Sequence, residues 1–319
     1  MQLGLNSLID PCLWPLAAES REFYARRPAG RGPRDWTELQ ECRARTPTPL
    51  PSCPPATEEL IGADRDVPVR FHLPENRQPS GVLIDIHGGG FFMGSAAMRD
   101  ASNRWLADLL GVVVASVDYR LAPEHPWPCA PDDCESAALW LTEHAPQRFG
   151  TDHMAITGFS AGATLAAVTL LRLKERGIDP FNGAVLQFGT YDLAARTPAG
   201  RLISDEYFLS AYAGMADDRT HPDISPIYAE LSGLPPIMIV VGAKDILLDD
   251  NMAMAARLSA AGVSVDLCVY PESPHGFTNH DTSMAQTARH HMHSWIQSCL
   301  IPAAQARGAK SAKYQDKKI

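Results

Sequence analysis

Four short stretches carry residue types that together suit acyl transfer. The first is Gly158-Phe159-Ser160-Ala161-Gly162, a Gly-x-Ser-x-Gly run. A strand-like segment, Met154 to Thr157, precedes it, and a helix-like segment, Thr164 to Leu173, follows. A sharp strand-to-helix turn needs small residues on both sides of the serine and pushes its Oγ out at the sheet edge. There it meets helix N–H groups that lack intrahelical partners and carry partial positive charge. Ser160 is therefore the candidate nucleophile, with Gly158 and Gly162 as its supports.

The second stretch, His87-Gly88-Gly89-Gly90-Phe91, directly follows the apolar run Gly81 to Ile86. Three consecutive glycines cost conformational entropy. They suit a place where backbone N–H groups must approach a ligand closely and hold a developing oxyanion. The expected donors are the N–H groups of Gly89, Gly90 and Ala161, although the residues alone leave open which glycines contribute. The third stretch places Asp245 just past the apolar run Pro236 to Val241, and the fourth places His275 after Val263 to Tyr270. His275 is the expected general base toward Ser160. Asp245 would fix its tautomer and stabilise the imidazolium. Taken singly, each has a plainer reading: a glycine turn, a helix cap, a loop histidine. Their joint occurrence in this order favours the catalytic one.

Positioning these groups requires alternating strands and helices. Strand candidates are 66–74, 81–86, 112–119, 154–157, 183–188, 236–241 and 263–270. Helical patterns lie between them at 98–110, 131–144, 164–173 and 249–261, and again at 283–299. This alternation predicts an α/β fold with a largely parallel sheet and helices on both faces. Residues 191–226 break the pattern and read as an inserted lid. Residues 1–45 hold three short helical candidates (3–16, 19–27 and 36–45), and the proline-rich stretch 46–55 reads as an extended linker. The expected division is 1–57 for N-terminal cap helices and linker and 58–301 for the catalytic unit. A polar tail at 302–319 is expected to be disordered.

The chain has 319 residues, 45% of them hydrophobic, and a formal net charge of −9. That balance argues against nucleic-acid or anionic-membrane binding. No run is long enough for a transmembrane helix, and residues 1–16 lack the early positive charge of a signal peptide. Seven scattered cysteines without a Cys-x-x-Cys pair fit a reducing, cytoplasmic setting rather than a disulfide framework or zinc site. His290, His291 and His293 have a spacing at which two could share a metal, but no acidic or thiol ligand stands beside them. A solvated helix face is the expectation, with no metal and no cofactor. Tyr119 and Arg120 read as structural supports of the loops, and the aromatics at 207–212 as packing.

The motifs together resemble the hormone-sensitive-lipase-like branch of the α/β-hydrolases, the bacterial family IV esterases. His87 to Gly90 is similar to the family's oxyanion motif, and Asp118-Tyr119-Arg120-Leu121-Ala122-Pro123-Glu124 to its Asp-Tyr-Arg-Leu-Ala-Pro-Glu signature. Gly158 to Gly162 matches its nucleophile turn, Asp245 to Asp249 its Asp-x-Leu-x-Asp, and His275-Gly276-Phe277 its His-Gly-Phe. The order Ser160, Asp245, His275 is the α/β-hydrolase order. The resemblance covers roughly residues 66–298. It implies an eight-stranded mostly parallel sheet with a helical cap built from the N-terminal helices and 191–226. It also implies cofactor-free hydrolysis of short- to medium-chain carboxylic esters, and a homodimer through strand 263–270 and the last helix. The same residues could serve amide, carbamate or lactone hydrolysis. A non-catalytic binder and a long-chain lipase are more distant alternatives. Phe159 departs from the family, which usually has Asp or Thr there, and leaves the support of the turn to be explained. Ala163, where Gly is frequent, is a smaller departure.

Overall fold

The computed structural model describes residues 4–27 and 31–300. The tail expected at 302–319 lies outside them. Eight strands form one sheet: β1 (Thr57–Ile61), β2 (Val67–His72), β3 (Val82–Ile86), β4 (Val113–Val117), β5 (Met154–Phe159), β6 (Phe181–Gln187), β7 (Ile237–Gly242) and β8 (Val265–Tyr270). Their order is β1-β2-β4-β3-β5-β6-β7-β8. Strands β1, β2 and β4 pair antiparallel, and β4 through β8 run parallel. The mostly parallel eight-stranded sheet implied by the resemblance is thus present. One strand, β1, has no counterpart in the residue-level reading. Thr-Glu-Glu-Leu-Ile is a mostly exposed edge strand, so no apolar alternation marks it.

The helices are α1 (Ala17–Ala25), α2 (Trp36–Arg45), α3 (Asp100–Leu110), α4 (Cys129–Phe149), α5 (Ala161–Glu175), α6 (Pro198–Arg201), α7 (Tyr207–Ala213), α8 (Leu248–Ala260) and α9 (Ser283–Leu300). Side chains alternate across each strand, and the central strands are buried on both faces. In β3, Val82, Ile84 and Ile86 join one core with α4, α5 and α8, while Leu83 joins the other with α3 and α9. Helix α4 runs beyond its expected end at His144, through Pro146. The buried Ala145 and Phe149 hold that last turn in the core despite the missing N–H.

The N-terminal segment differs from one expected short helix at 3–16. Pro11 and Pro15 limit it to two 3₁₀ stretches, Leu5–Ser7 and Pro11–Leu16. Ile9 and Leu13 nevertheless bury in the α3/α9 core. The Ser20 hydroxyl in α1 donates to the Glu272 carbonyl at 2.8 Å, and the Tyr24 hydroxyl lies 2.9 Å from His280 Nδ1. Helix α2 crosses to the other core, where Leu39 is fully buried. Among the described residues no helix is long and apolar enough to cross a membrane.

Candidate active site

All the residues singled out for acyl transfer lie at the carboxyl ends of the parallel strands, where open α/β sheets place their sites. Ser160 stands between β5 and α5 with φ 53° and ψ −126°. A non-glycine residue held there stores about 1–3 kcal/mol of backbone strain. The flanking glycines allow close passage of the chain. A Cβ on Gly162 would sit 2.1 Å from the Ile86 carbonyl oxygen, and one on Gly158 would sit 2.2 Å from that of Gly162. The Ser160 N–H donates to the Gln187 carbonyl at 2.8 Å, which extends the β5/β6 pairing into the turn.

His275 reaches this serine from the segment after β8. Its Nε2 lies 3.0 Å from Ser160 Oγ, and its Nδ1 lies 3.1 Å from both carboxylate oxygens of Asp245. The Asp245 side chain is fully buried, whereas about a third of the imidazole is exposed. The Leu247 N–H donates to Asp245 Oδ1 at 2.8 Å and fixes the carboxylate's orientation. Behind the imidazole, the Phe188 ring meets it edge-on at 5.0 Å.

The glycine loop is held from below. His87 is buried, and burial pushes its imidazole below the usual histidine range, so the ring is neutral at pH 7. Its Nδ1–H donates to the Gly88 carbonyl at 2.8 Å, its ring stacks on Tyr119 at 4.2 Å, and the Tyr119 hydroxyl donates to the His87 carbonyl at 3.0 Å. A planar trans peptide points its C=O and N–H in opposite directions. Pinning the Gly88 carbonyl to His87 therefore turns the Gly89 N–H away from the core. The Gly89 carbonyl in turn accepts from Phe92 and Met93 at 3.2 and 2.8 Å, which turns the Gly90 N–H outward as well. Among the described residues, the N–H groups of Gly89, Gly90 and Ala161 donate to no protein acceptor.

Phe159 takes the place of the family's polar residue without polar contacts. Its ring packs beneath Gly88, where a Cβ would come within 2.6 Å of it, and the Arg99 guanidinium covers it at 5.1 Å. The 191–226 segment lies against the glycine loop. Tyr212 stacks on Phe91 at 3.9 Å, and Phe208 comes within van der Waals reach of a Cβ built on Gly90. This segment is anchored by the buried Asp250, which accepts from the N–H groups of Tyr191 and Asp192, and by Asp223, which binds Arg172 and Trp127.

Several supports were not visible in the sequence. Arg43 of α2 donates to the Phe92 and Ala122 carbonyls at 2.9 and 2.8 Å and pairs with Glu124. Nothing in the pattern of α2 marks that side chain. The Thr278 hydroxyl donates to Gln187 Oε1 at 3.0 Å and ties the His275 segment to β6. A polar Gln ending an apolar strand was the available signal. Arg120 grips Asp133 of α4 with both ends of its guanidinium and reaches the Cys129 carbonyl at 3.3 Å. The three α9 histidines diverge: His291 lies 3.0 Å from the Tyr270 hydroxyl, while His290 and His293 face a cleft beside α3. Among the described residues no three metal-ligating side chains are grouped.

A family model for the alpha/beta hydrolase fold matches residues 83–279. The carboxylic ester hydrolase LipN of Mycobacterium tuberculosis is 36% identical over 241 residues, which cover 69% of this chain and 63% of that protein. The carboxylesterase NlhH of the same organism is 34% identical over 239 residues, covering 70% of this chain and 75% of that one. The chain thus spans somewhat under two thirds of the first relative and three quarters of the second. A solved esterase from Pyrobaculum calidifontis superposes with a TM-score of 0.74 at 27% identity, over 92% of this chain and all of that one. With the strand order, the turn at Ser160 and the glycine loop already in place, these matches settle the family: the chain belongs to the α/β-hydrolase fold, in its hormone-sensitive-lipase-like branch of carboxylic ester hydrolases.

Proposed function

We propose that this protein is a serine carboxylesterase acting on short- to medium-chain esters through an acyl-enzyme on Ser160. One observation carries the reading: a hydrogen-bonded chain from Ser160 Oγ through His275 to the buried Asp245. Asp245 accepts a hydrogen bond from Nδ1–H, leaving Nε2 as the acceptor facing Oγ. Ser160 attacks the ester carbonyl while His275 takes its proton, and the C–O bond to the alcohol breaks as His275 returns that proton to the leaving alkoxide. Water then cleaves the acyl-enzyme by the same route and releases the carboxylic acid. The N–H groups of Gly89, Gly90 and Ala161 receive the tetrahedral oxyanion; loss of one such donor typically costs about 10²–10³ in rate. His87, Gly88, Gly158 and Gly162 position these groups. The chemistry needs neither metal nor cofactor.

The 1–57 segment and the 191–226 insertion act as a cap on the 58–301 unit, a reading supported by the packing of Phe208 and Tyr212 on the glycine loop. All seven cysteines are free thiols, which supports a reducing cytoplasm. The edge strand β8, paired on one side only, and the neighbouring α9 would join two copies in a homodimer, and the net negative charge favours small neutral esters over nucleic acid. The test is hydrolysis of p-nitrophenyl esters from acetate to palmitate by the wild type and Ser160→Ala, with a matched anilide. Turnover concentrated on the short esters and lost by at least about 10³ in the variant is expected. Anilide turnover without ester turnover, or full activity in Ser160→Ala, would overturn the proposal.

A further inference from the structure

A cleft of about 720 Å³ opens between α3 and α9, on the sheet face that bears those two helices. Its size lies within the range of about 300–1,000 Å³ typical of small-molecule sites. Ser160, Asp245 and His275 do not line it; its floor is made of Asp85 of β3, Thr157 of β5 and Gln187 of β6.

The two ends of the cleft differ in chemistry. At the inner end stands Arg99. Its Nε is buried without a hydrogen-bond partner, and the nearest carboxylate, Asp85, is 3.7 Å away. Asp85 is already engaged by Asn103 Nδ2 at 2.9 Å and the Ser116 hydroxyl at 3.0 Å. Among the described residues the Arg99 guanidinium donates no hydrogen bond and is held by the Phe159 ring and the ion-pair contact of its Nε with Asp85. A charged fork with five donors and no acceptor calls for an anionic oxygen pair. At the outer end Trp105 and Leu109, each about half exposed, face Met292 and Ile296 across the gap. Arg289 adds a second positive charge to the lining, and Asp85 offsets one. Burial depresses the His293 imidazole to about 4, so that ring is neutral at pH 7. Arg99, Arg289 and Asp85 together leave one uncompensated positive charge beside an apolar channel.

We propose that this cleft binds a single-chain aliphatic carboxylate, its head on Arg99 and its tail between Trp105, Leu109, Met292 and Ile296. Binding there does not depend on turnover. The esterase reading enters only through the ligand's source, since ester hydrolysis releases acids of this class. The cleft abuts the reacting groups from behind. Arg99 covers Phe159, next to Ser160, and Arg289 Nη1 donates to the Thr278 carbonyl at 2.6 Å, three residues beyond His275. An occupant would therefore be felt at both the serine turn and the histidine segment.

The probe is 11-bromoundecanoate, whose bromine quenches nearby tryptophan fluorescence, titrated into the wild type, Ser160→Ala, Trp105→Phe, Arg99→Gln and Leu109→Glu. Expected is a saturable quench of equal affinity in the wild type and Ser160→Ala, with most of its amplitude lost in Trp105→Phe. Arg99→Gln should weaken binding at least tenfold. Leu109→Glu, which puts a carboxylate in the tail channel at an exposed position, should abolish it with the fold intact by circular dichroism. A quench that survives Trp105→Phe, or Arg99→Gln and Leu109→Glu that both bind as the wild type does, would overturn the proposal. None of these readouts needs ester turnover, so failure of the esterase reading leaves the outcome interpretable.

Discussion

Asp245→Asn tests the chain of hydrogen bonds at its least exposed link. The substitution conserves shape and leaves the Leu247 N–H in place, which holds one side-chain oxygen at 2.8 Å. An asparagine keeps that bond only by directing its Oδ1 to Leu247 and its NH₂ toward His275. The imidazole then meets a donor where it had an acceptor. Its Nδ1 must give up the proton, which moves to Nε2, the nitrogen 3.0 Å from Ser160 Oγ. A protonated Nε2 cannot take the serine proton. A wrong tautomer of this kind costs about 10⁴ in kcat in the serine-protease case. At about 1.36 kcal/mol per decade this is roughly 5 kcal/mol of barrier. The assay is kcat and KM on p-nitrophenyl butyrate at neutral pH, with thermal unfolding to establish that the variant is folded. Expected is a kcat loss of about 10³–10⁴ with KM changed by less than about threefold, since Asp245 does not touch the ester. A folded variant within tenfold of wild-type kcat would refute the role assigned to this carboxylate.

Two further outcomes follow from packing and charge. Gly162→Ala puts a Cβ 2.1 Å from the Ile86 carbonyl oxygen and 2.5 Å from that of His87; both atoms are backbone, so the serine turn and β3 must separate. Its melting temperature should drop by more than that of Gly177→Ala, where no atom lies within 4 Å and only the left-handed φ costs about 1 kcal/mol; equal drops would show that the turn is not sterically locked. His293, depressed to about 4 in the fold against 6.5 when free, binds its proton more readily in the unfolded chain. Its contribution is therefore intact above about pH 6.5 and is lost as pH falls toward 4, by at most about 3 kcal/mol. In urea unfolding at pH 4.5 and 7.5, His293→Gln should lose less stability on acidification than the wild type, and parallel losses would contradict the burial of this ring.

The central sheet was legible because its strands are buried on both faces and read as short continuous apolar runs. Val82–Ile86 and Val113–Val117 are such runs, each interrupted by one buried polar residue, Asp85 and Ser116. The edge was not: β1 exposes Glu58 and Leu60 and has no pattern to read. Likewise the residues proposed for chemistry could be named because their types and order are restrictive, while their supports could not. Arg43 does its work through backbone carbonyls 49 and 79 residues away. The Gln187 carbonyl that holds the Ser160 N–H is equally silent, because the amino-acid alphabet carries no record of a carbonyl's partner. The N-terminal segment was misjudged for a related reason. Leu5, Leu8, Ile9, Leu13 and Leu16 supply apolar side chains for a short helix, but Pro11 and Pro15 withdraw the N–H groups a continuous α-helix would need.

Phe159 shows how a departure from a family motif can be absorbed. A carboxylate at this position would sit beside Arg99 and could pair with it. With phenylalanine, the guanidinium instead lies over the ring, and the ring fills the space that Gly88 leaves by having no Cβ. The cation–π contact is worth about 0.5–2 kcal/mol, less than a desolvated ion pair would require in compensating bonds, and it leaves the Arg99 guanidinium without a hydrogen-bond acceptor among the described residues, with only the Asp85 ion pair at 3.7 Å beside it. The same exchange that stabilises the turn by apolar packing thus leaves a charge facing the α3/α9 cleft. Phe159→Asp should consequently reverse both effects at once. The new carboxylate would engage Arg99, the bromoundecanoate quench would weaken at least tenfold, and the turn beneath Gly88 would lose its ring. If binding in the cleft is unchanged in a folded Phe159→Asp variant, the charge on Arg99 is not what the cleft presents.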